Sequence, residues 1–215
     1  MGLKYQLNEL YEKSRQFLKS HYTDDLDTWS KHTNWQPSHW QENESIGVVN
    51  LARLMNDANI LPTALMSCVY MDERIVQGFR REDGTRETLP VDDLGRCFRA
   101  SRVLRQMNLA GILRVLDDIA SPGCMKDKGG CTRILQGAQR RLKAQIEQIM
   151  TRNPVKLTPE YFLLKGYPLS MCVECTKMVE ERIRKERTEL WARLPEVLDI
   201  EVPGWGNGAP QDGAA

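Results

Sequence analysis

Four of the six cysteines in this sequence form two pairs whose spacing suits metal chemistry. Cys124 and Cys131 bracket a polar loop with two adjacent glycines, and Cys172 and Cys175 form a C-x-x-C motif just before a long charged helix. Structural Zn²⁺ sites use four tetrahedral ligands, and a short segment carrying two thiolates supplies half of them. The pattern therefore predicts a structural Zn²⁺ site on Cys124, Cys131, Cys172 and Cys175.

The spacing leaves two other interpretations of the four cysteines open. A C-x6-C loop is longer than the usual ligand spacing, and the 40 residues between the pairs exceed common zinc-finger spacings. The four thiols could simply pack, or they could have a redox or disulfide role. A thioredoxin-like role for the C-x-x-C would need a preceding strand in a βαβ unit, which the sequence does not indicate. Cys68 and Cys97 lie alone within helix-like apolar patterns and are interpreted as buried packing residues.

No pattern typical of a catalytic site was found. The three histidines all lie within the first 40 residues, and the sequence lacks G-x-S-x-G, Walker A, H-E-x-x-H and dinucleotide-binding motifs. Asp92-Asp93 and Asp117-Asp118 are adjacent pairs, and neighbours on a helix point in different directions. We therefore expect a protein that is not an enzyme.

Composition and charge indicate a globular intracellular protein. Of the 215 residues, 41% are hydrophobic and 27% charged, which argues against wholesale disorder. The formal net charge of +1 argues against bulk neutralisation of nucleic-acid phosphates. No apolar run approaches the ~20 residues that span a bilayer. Met1 leads directly into an amphipathic pattern, so we expect no signal peptide, reduced thiols and a location in the cytoplasm or nucleus.

Hydrophobic periodicity predicts an all-α fold, an irregular multi-helix bundle with at most a minor β-hairpin and a cysteine-based zinc staple. The hairpin is expected within residues 78–89, where Asp83-Gly84 is a turn signal. The predicted helices cover residues 4–21, a short segment after Thr23, 45–59, a segment beginning at Pro62, 72–77, 90–119, 132–152, a short segment within 158–163, and 176–194.

Several stretches together resemble the C-terminal helical region of fungal BTB/POZ domain-containing proteins. The segment GLKYQLNELYEKSRQFLKSHY is similar to the last helical pair of a BTB fold. The segment VVNLARLMNDANILPTALMSCVYM, with its Leu61-Pro62 step, is similar to the helices that follow the BTB core. The cysteine loop CMKDKGGCT and the C-x-x-C block that continues through Trp191 and Leu194-Pro195 are similar to the C-terminal part of the same proteins.

The resemblance implies a non-enzymatic protein–protein interaction module that lacks the βαβ-rich front of a BTB domain. It divides the sequence into a remnant of the last BTB helices (1–22), a helical extension (23–121), a cysteine-containing helical subdomain (122–202) and a disordered tail (203–215). Because the front of the fold is missing, Leu3, Leu7 and Leu10 are expected to be uncovered and to favour self-association. The partners are expected to be proteins, with no membrane contact.

The alternative function is that of a nucleic-acid or chromatin-associated regulator that uses one basic helix face. Arg133, Arg140, Arg141 and Lys143 lie on the predicted helix 132–152. The near-neutral net charge argues against this role, and a solvated helix face is the simpler interpretation.

Overall fold

A computed structural model describes residues 2–31, 37, 39–126, 129–150 and 170–206, with the backbone alone at residues 2–7 and 148. It confirms the all-α prediction. The α-helices are α1 (Gly2–His21), α2 (Leu26–Lys31), α3 (Ser45–Met55), α4 (Leu61–Val69), α5 (Val91–Val115), α6 (Gly130–Lys143), α7 (Ile146–Met150), α8 (Val173–Ala192) and α9 (Leu194–Leu198). Two 3₁₀ turns, Glu42–Glu44 and Asp72–Gln77, precede α3 and follow α4. The predicted helix at 158–163 and the tail after residue 206 lie outside the described residues.

The predicted hairpin is present and is small. Strands β1 (Phe79–Arg80) and β2 (Arg86–Glu87) pair antiparallel, with Phe79 opposite Glu87. Gly78 precedes β1 with a φ of +66°, and a Cβ there would meet the Glu87 carbonyl oxygen at 2.2 Å. Only glycine allows this approach, so Gly78 sets the position of the hairpin.

Three of the helix boundaries that differ from the predictions have local explanations. Helix α3 ends at Met55 because Asn56 adopts a left-handed conformation, with φ +53°, and caps it. The predicted helix 132–152 is divided into α6 and α7 by a turn in which the N–H groups of Ala144 and Gln145 bond to carbonyls three residues back. Helix α8 begins at Val173, three residues earlier than predicted, so the C-x-x-C lies at the helix N-terminus.

The chain divides into two compact units. The first unit comprises residues 1–101 and 192–215, and the second unit comprises residues 102–191. These boundaries differ from those of the four segments drawn from the resemblance, which stay predictions.

Helix α4 lies at the centre of the first unit. All nine of its residues are buried, and it packs against α3 and α9. Pro62 starts this helix well because its missing N–H falls among the donors of the first turn, which have no partner within the helix. Cys68 is fully buried in α4, and Cys97 in α5 is also buried with its Sγ near the Leu65 carbonyl. Burial raises the pKa of both thiols, which fits their predicted role as packing residues.

The apolar residues of α1 have mixed environments. Leu18 is buried, whereas Leu10 is 62% exposed. The side chains of Leu3 and Leu7 lie outside the described residues. Exposure of Leu10 fits the expected uncovered surface, and self-association through Leu3, Leu7 and Leu10 stays a prediction.

Asp57 is a buried carboxylate that depends on two cations of α1. Its Oδ2 lies 2.8 Å from Nε of Arg15 and 3.1 Å from Nζ of Lys19. Burial opposes ionisation of Asp57, but the hydrogen bonds from Arg15 and Lys19 outweigh it and hold the pKa below its usual value. The ion pairs therefore tie α1 to the turn after α3.

We expect Asp57→Asn to lower the free energy of unfolding at pH 7 by about 1–3 kcal/mol. Because the folded pKa is depressed, this stabilisation is complete above about pH 4 and is lost as the pH falls through the folded pKa. Urea unfolding at pH 7 and near pH 3 measures the difference, with Glu82→Gln in the exposed hairpin turn as control. If Asp57→Asn lowered the free energy of unfolding by the same amount at both pH values, the ion-pair explanation would be contradicted.

Among the described residues, no helix is both long enough and apolar enough to cross a membrane.

Candidate metal centre

Three segments of the second unit carry the four paired cysteines. Cys124 follows a turn in which its N–H donates to the Ser121 carbonyl at 2.9 Å. Cys131 lies in the first turn of α6, after Gly129, whose φ of +99° reverses the chain ahead of the helix. Cys172 immediately precedes α8, and Cys175 lies in its first turn. The segments are distant in sequence, and the fold brings their thiols to one place.

The four sulfur atoms form one compact cluster. Their Sγ atoms all lie within 4.8 Å of one another, and the Sγ atoms of Cys124 and Cys172 are 3.8 Å apart. A tetrahedron with Zn–S bonds of about 2.3 Å has sulfur–sulfur edges of about 3.8 Å. A disulfide needs about 2.05 Å between sulfurs, and all four residues are free cysteines. The arrangement is therefore compatible with a bound metal ion.

Backbone N–H groups point at the sulfur atoms. The Cys172 N–H donates to Cys131 Sγ at 3.4 Å. The N–H groups of Cys175 and Met125 donate to the Cys172 sulfur, and the Ser121 N–H donates to the Cys175 sulfur. Hydrogen bonds to a charged acceptor favour its ionised form, so these donors stabilise thiolates.

Two helix N-termini also contribute to the electrostatics of the cluster. Cys131 lies in the first turn of α6, while Cys172 and Cys175 lie at the start of α8. The N-terminal end of a helix carries a partial positive charge, and anions are favoured within its first turn. Three of the four clustered sulfur atoms therefore lie where negative charge is favoured.

The cysteines differ in how easily they lose a proton. Backbone hydrogen bonds from Cys175 and Met125 lower the pKa of Cys172 to about 6. Burial raises the pKa of Cys175 to about 12 and also raises that of Cys131. Full ionisation of the buried pair needs a compensating positive charge, which a divalent cation bound by all four sulfurs would supply.

The cluster joins the hydrophobic core of the second unit. That core contains residues of α5, α6, α7 and α8: Ile112, Val115, Leu116, Leu135, Ala138, Leu142, Ile149, Val179 and Ile183. Met171 packs against both this core and the cysteines. The metal-compatible cluster is thus continuous with the core formed by the facing sides of α6 and α8.

Polar contacts hold the helices around the cluster. Arg182 of α8 donates to the carbonyls of Asp117 and Ile119, each at 3.0 Å, beyond the C-terminal end of α5. Glu186 accepts two hydrogen bonds from Arg114, at 2.6 and 2.7 Å. Since these contacts lie along α8, they fix the helix whose N-terminus carries the C-x-x-C.

The four cysteines singled out from the sequence are the four that meet. Their spacing identified the candidate ligands, but it did not predict the backbone donors or the link between the two cysteine segments, in which Lys126 Nζ donates to the Ser170 carbonyl. The six-residue loop, which looked too long, contributes the Met125 donor and Lys126. No local sequence signal marks the contacts between the two cysteine segments, because their partners lie at least 41 positions apart.

Two other groups considered for chemistry have structural environments. His21 is buried and its ring packs edge-on against Tyr22 and Trp29, with centroids 5.1 and 6.4 Å away. Asp93 is buried and accepts hydrogen bonds from Arg53 and Arg96. These contacts stabilise the first unit and give neither side chain an evident catalytic role.

No protein-family model matches the chain, and neither a similar curated protein nor a similar solved structure was found.

Proposed function

We propose that Cys124, Cys131, Cys172 and Cys175 bind one structural Zn²⁺, and that the chain is a non-enzymatic, intracellular protein–protein interaction module. The observation that carries the metal assignment is the cluster of four Sγ atoms within 4.8 Å. Soft thiolate donors favour Zn²⁺ over Mg²⁺ and Ca²⁺, which prefer oxygen. Four cysteine ligands leave no open coordination position, so the ion would stabilise the fold without activating a substrate.

The interaction role follows from what the zinc would do to the second unit. It would tie the loop after α5 to the N-termini of α6 and α8, in addition to the hydrogen bonds that already link these segments. Such a staple makes a small helical unit rigid enough to present a defined surface. Free thiols at a zinc site suit a reducing compartment, which supports the intracellular assignment. The resemblance to BTB/POZ-associated helical regions is consistent with this role and stays a prediction.

The first test is the metal content of the purified chain by elemental mass spectrometry, together with thiol counting. We expect about one zinc per chain. Chelation should make four thiols reactive in the native protein. All six should react only after unfolding, because Cys68 and Cys97 are buried in the first unit.

Matched variants make this test specific. Cys175→Ala should lose the zinc, whereas Cys97→Ala, which removes an equally buried thiol elsewhere, should keep it. Absence of metal would overturn the proposal, and thiols of the cluster that stay unreactive until the protein unfolds would then favour packing. Thiols that react only after treatment with a reductant would overturn it in favour of disulfides.

A further inference from the structure

The charge of the chain is divided unequally between the two compact units. The second unit, residues 102–191, contains 17 basic and 10 acidic residues, a net charge of +7. The rest of the chain contains 13 basic and 19 acidic residues, a net charge of −6. The overall charge of +1 is therefore the sum of a basic second unit and an acidic remainder. The near-neutral net charge of the whole chain therefore does not exclude a polyanionic partner for this unit.

Helix α6 concentrates positive charge on its outer side. Arg133, Arg140, Arg141 and Lys143 are all exposed, and α6 contains no acidic residue. The core-facing residues Leu135, Ala138 and Leu142 are buried. At 3.6 residues per turn, Arg133 and Arg140 lie about 20° apart around the helix axis, on the side opposite the buried residues. We call these four basic residues the α6 basic face.

Three residues of the α6 basic face, Arg133, Arg140 and Lys143, differ from an ordinary ion-paired helix surface. The guanidinium Nε atoms of Arg133 and Arg140 donate only to carbonyls of the preceding turn. Among the described residues, no carboxylate lies within salt-bridge distance of Arg133, Arg140 or Lys143. By contrast, Arg184 and Lys185 of α8 each have a glutamate within 4.0 Å.

The α6 basic face also allows close approach. Gly137 lies between its arginines, and a Cβ at this position would meet no atom of the described residues within 4 Å. Packing among the described residues therefore does not require glycine here, although glycine weakens a helix interior relative to alanine. A glycine at this position would allow a partner to approach the helix backbone closely.

We propose that the α6 basic face binds the phosphodiester backbone of double-helical nucleic acid. Three of the four cations are arginines, whose planar guanidinium groups bind phosphate oxygens in pairs. They extend over about 15 Å of a helix that is narrow enough for a DNA major groove. No exposed aromatic or large apolar residue lies among them, as a protein hot spot or a membrane-inserting helix would need. This inference names a partner beyond the proposed protein–protein role and does not depend on zinc.

The test is fluorescence anisotropy of the full chain with labelled DNA and RNA duplexes over a range of salt concentrations. Four phosphate contacts predict a slope of log K against log salt of about −3.6 on DNA. Arg140→Gln combined with Lys143→Gln should reduce that slope by about 1.8 and weaken binding at low salt by about tenfold. Arg184→Gln combined with Lys185→Gln removes the same charge from α8 and should change binding little.

A second pair of variants tests the face without removing a cation. The side chains introduced by Gly137→Glu and Gly137→Gln have the same shape and differ in charge. A greater loss of duplex affinity with glutamate therefore isolates the electrostatic effect of the face. Zinc content measured on each variant separates failure of this proposal from failure of the metal assignment. The proposal is overturned if the duplexes do not bind, if both double variants lose affinity equally, or if poly-glutamate competes as well as DNA and so indicates an acidic polypeptide partner.

Discussion

Replacing Cys172 with serine is expected to produce the largest loss of stability of any single change in the second unit. Cys172 contributes one of the four clustered sulfurs, and its backbone N–H donates to the sulfur of Cys131. Serine cannot replace a thiolate ligand, and loss of a structural metal is among the few mutational effects that exceed about 4 kcal/mol. For a chain of this size, that loss lowers the melting temperature by about 8–16 °C.

Calorimetry of the wild type and the variant, with and without a chelator, measures this effect. Chelation should lower the wild-type melting temperature to near that of Cys172→Ser and should leave the variant unchanged. Cys97→Ser is the control, because Cys97 is also buried but belongs to the first unit. An unchanged melting curve for Cys172→Ser would contradict the metal assignment.

Leu135→Ala is expected to have the second largest effect, through the core that adjoins the cysteines. Leu135 is completely buried on the inner side of α6 and belongs to the cluster that includes Leu116 and Ile183. Removing it leaves a cavity among residues of α5 and α8 and should cost about 2–5 kcal/mol. Chemical denaturation of the zinc-loaded protein measures the loss.

Leu113→Ala provides a control with identical chemistry. Leu113 lies on α5 and is 48% exposed, so its truncation should cost less than about 1 kcal/mol. Leu135→Ala should also retain zinc in its folded state, because Leu135 contributes to the core and not to the sulfur cluster. If the two leucine variants were equally stable, the inner side of α6 would not be part of the core.

Together these two experiments separate the two sources of stability in the second unit. The cysteine cluster joins segments that are far apart in the chain, whereas the leucine core packs the helices that these segments begin. Met171 contacts both, so some coupling between Cys172→Ser and Leu135→Ala is expected. A double variant whose loss is smaller than the sum of the single losses would measure that coupling.

Helical periodicity was enough to predict most of the fold. The apolar repeat of α6 and the Leu61-Pro62 start of α4 are properties of a few neighbouring residues, so they can be recognised without knowing the rest of the chain. The predicted helix ends were wrong where the conformation of one residue ends a helix. Asn56, for example, adopts a left-handed conformation and ends α3. Such helix ends depend on a single backbone conformation, which composition and periodicity do not specify.

The cysteine spacing identified the candidate ligands but not their relationship. C-x6-C and C-x-x-C separated by 40 residues allowed zinc, packing or disulfides. Which of these three interpretations holds depends on whether α6 and α8 pack with their N-termini side by side. The packing of α6 and α8 depends in turn on the buried faces of both helices and of α5. The net charge of the whole chain is similarly uninformative about its parts, since a value of +1 did not indicate that the second unit is basic.

The amino-acid sequence was sufficient for features encoded within one or two helical turns: the helices, the small hairpin and the identity of four thiols that could bind a metal. The meeting of those thiols, and the exposure of the α6 basic residues opposite a buried face, depended on how the helices pack. The physical reason is that side-chain periodicity is a short-range property. Distances between residues 48 positions apart, such as Cys124 and Cys172, are set by the packing of many side chains at once.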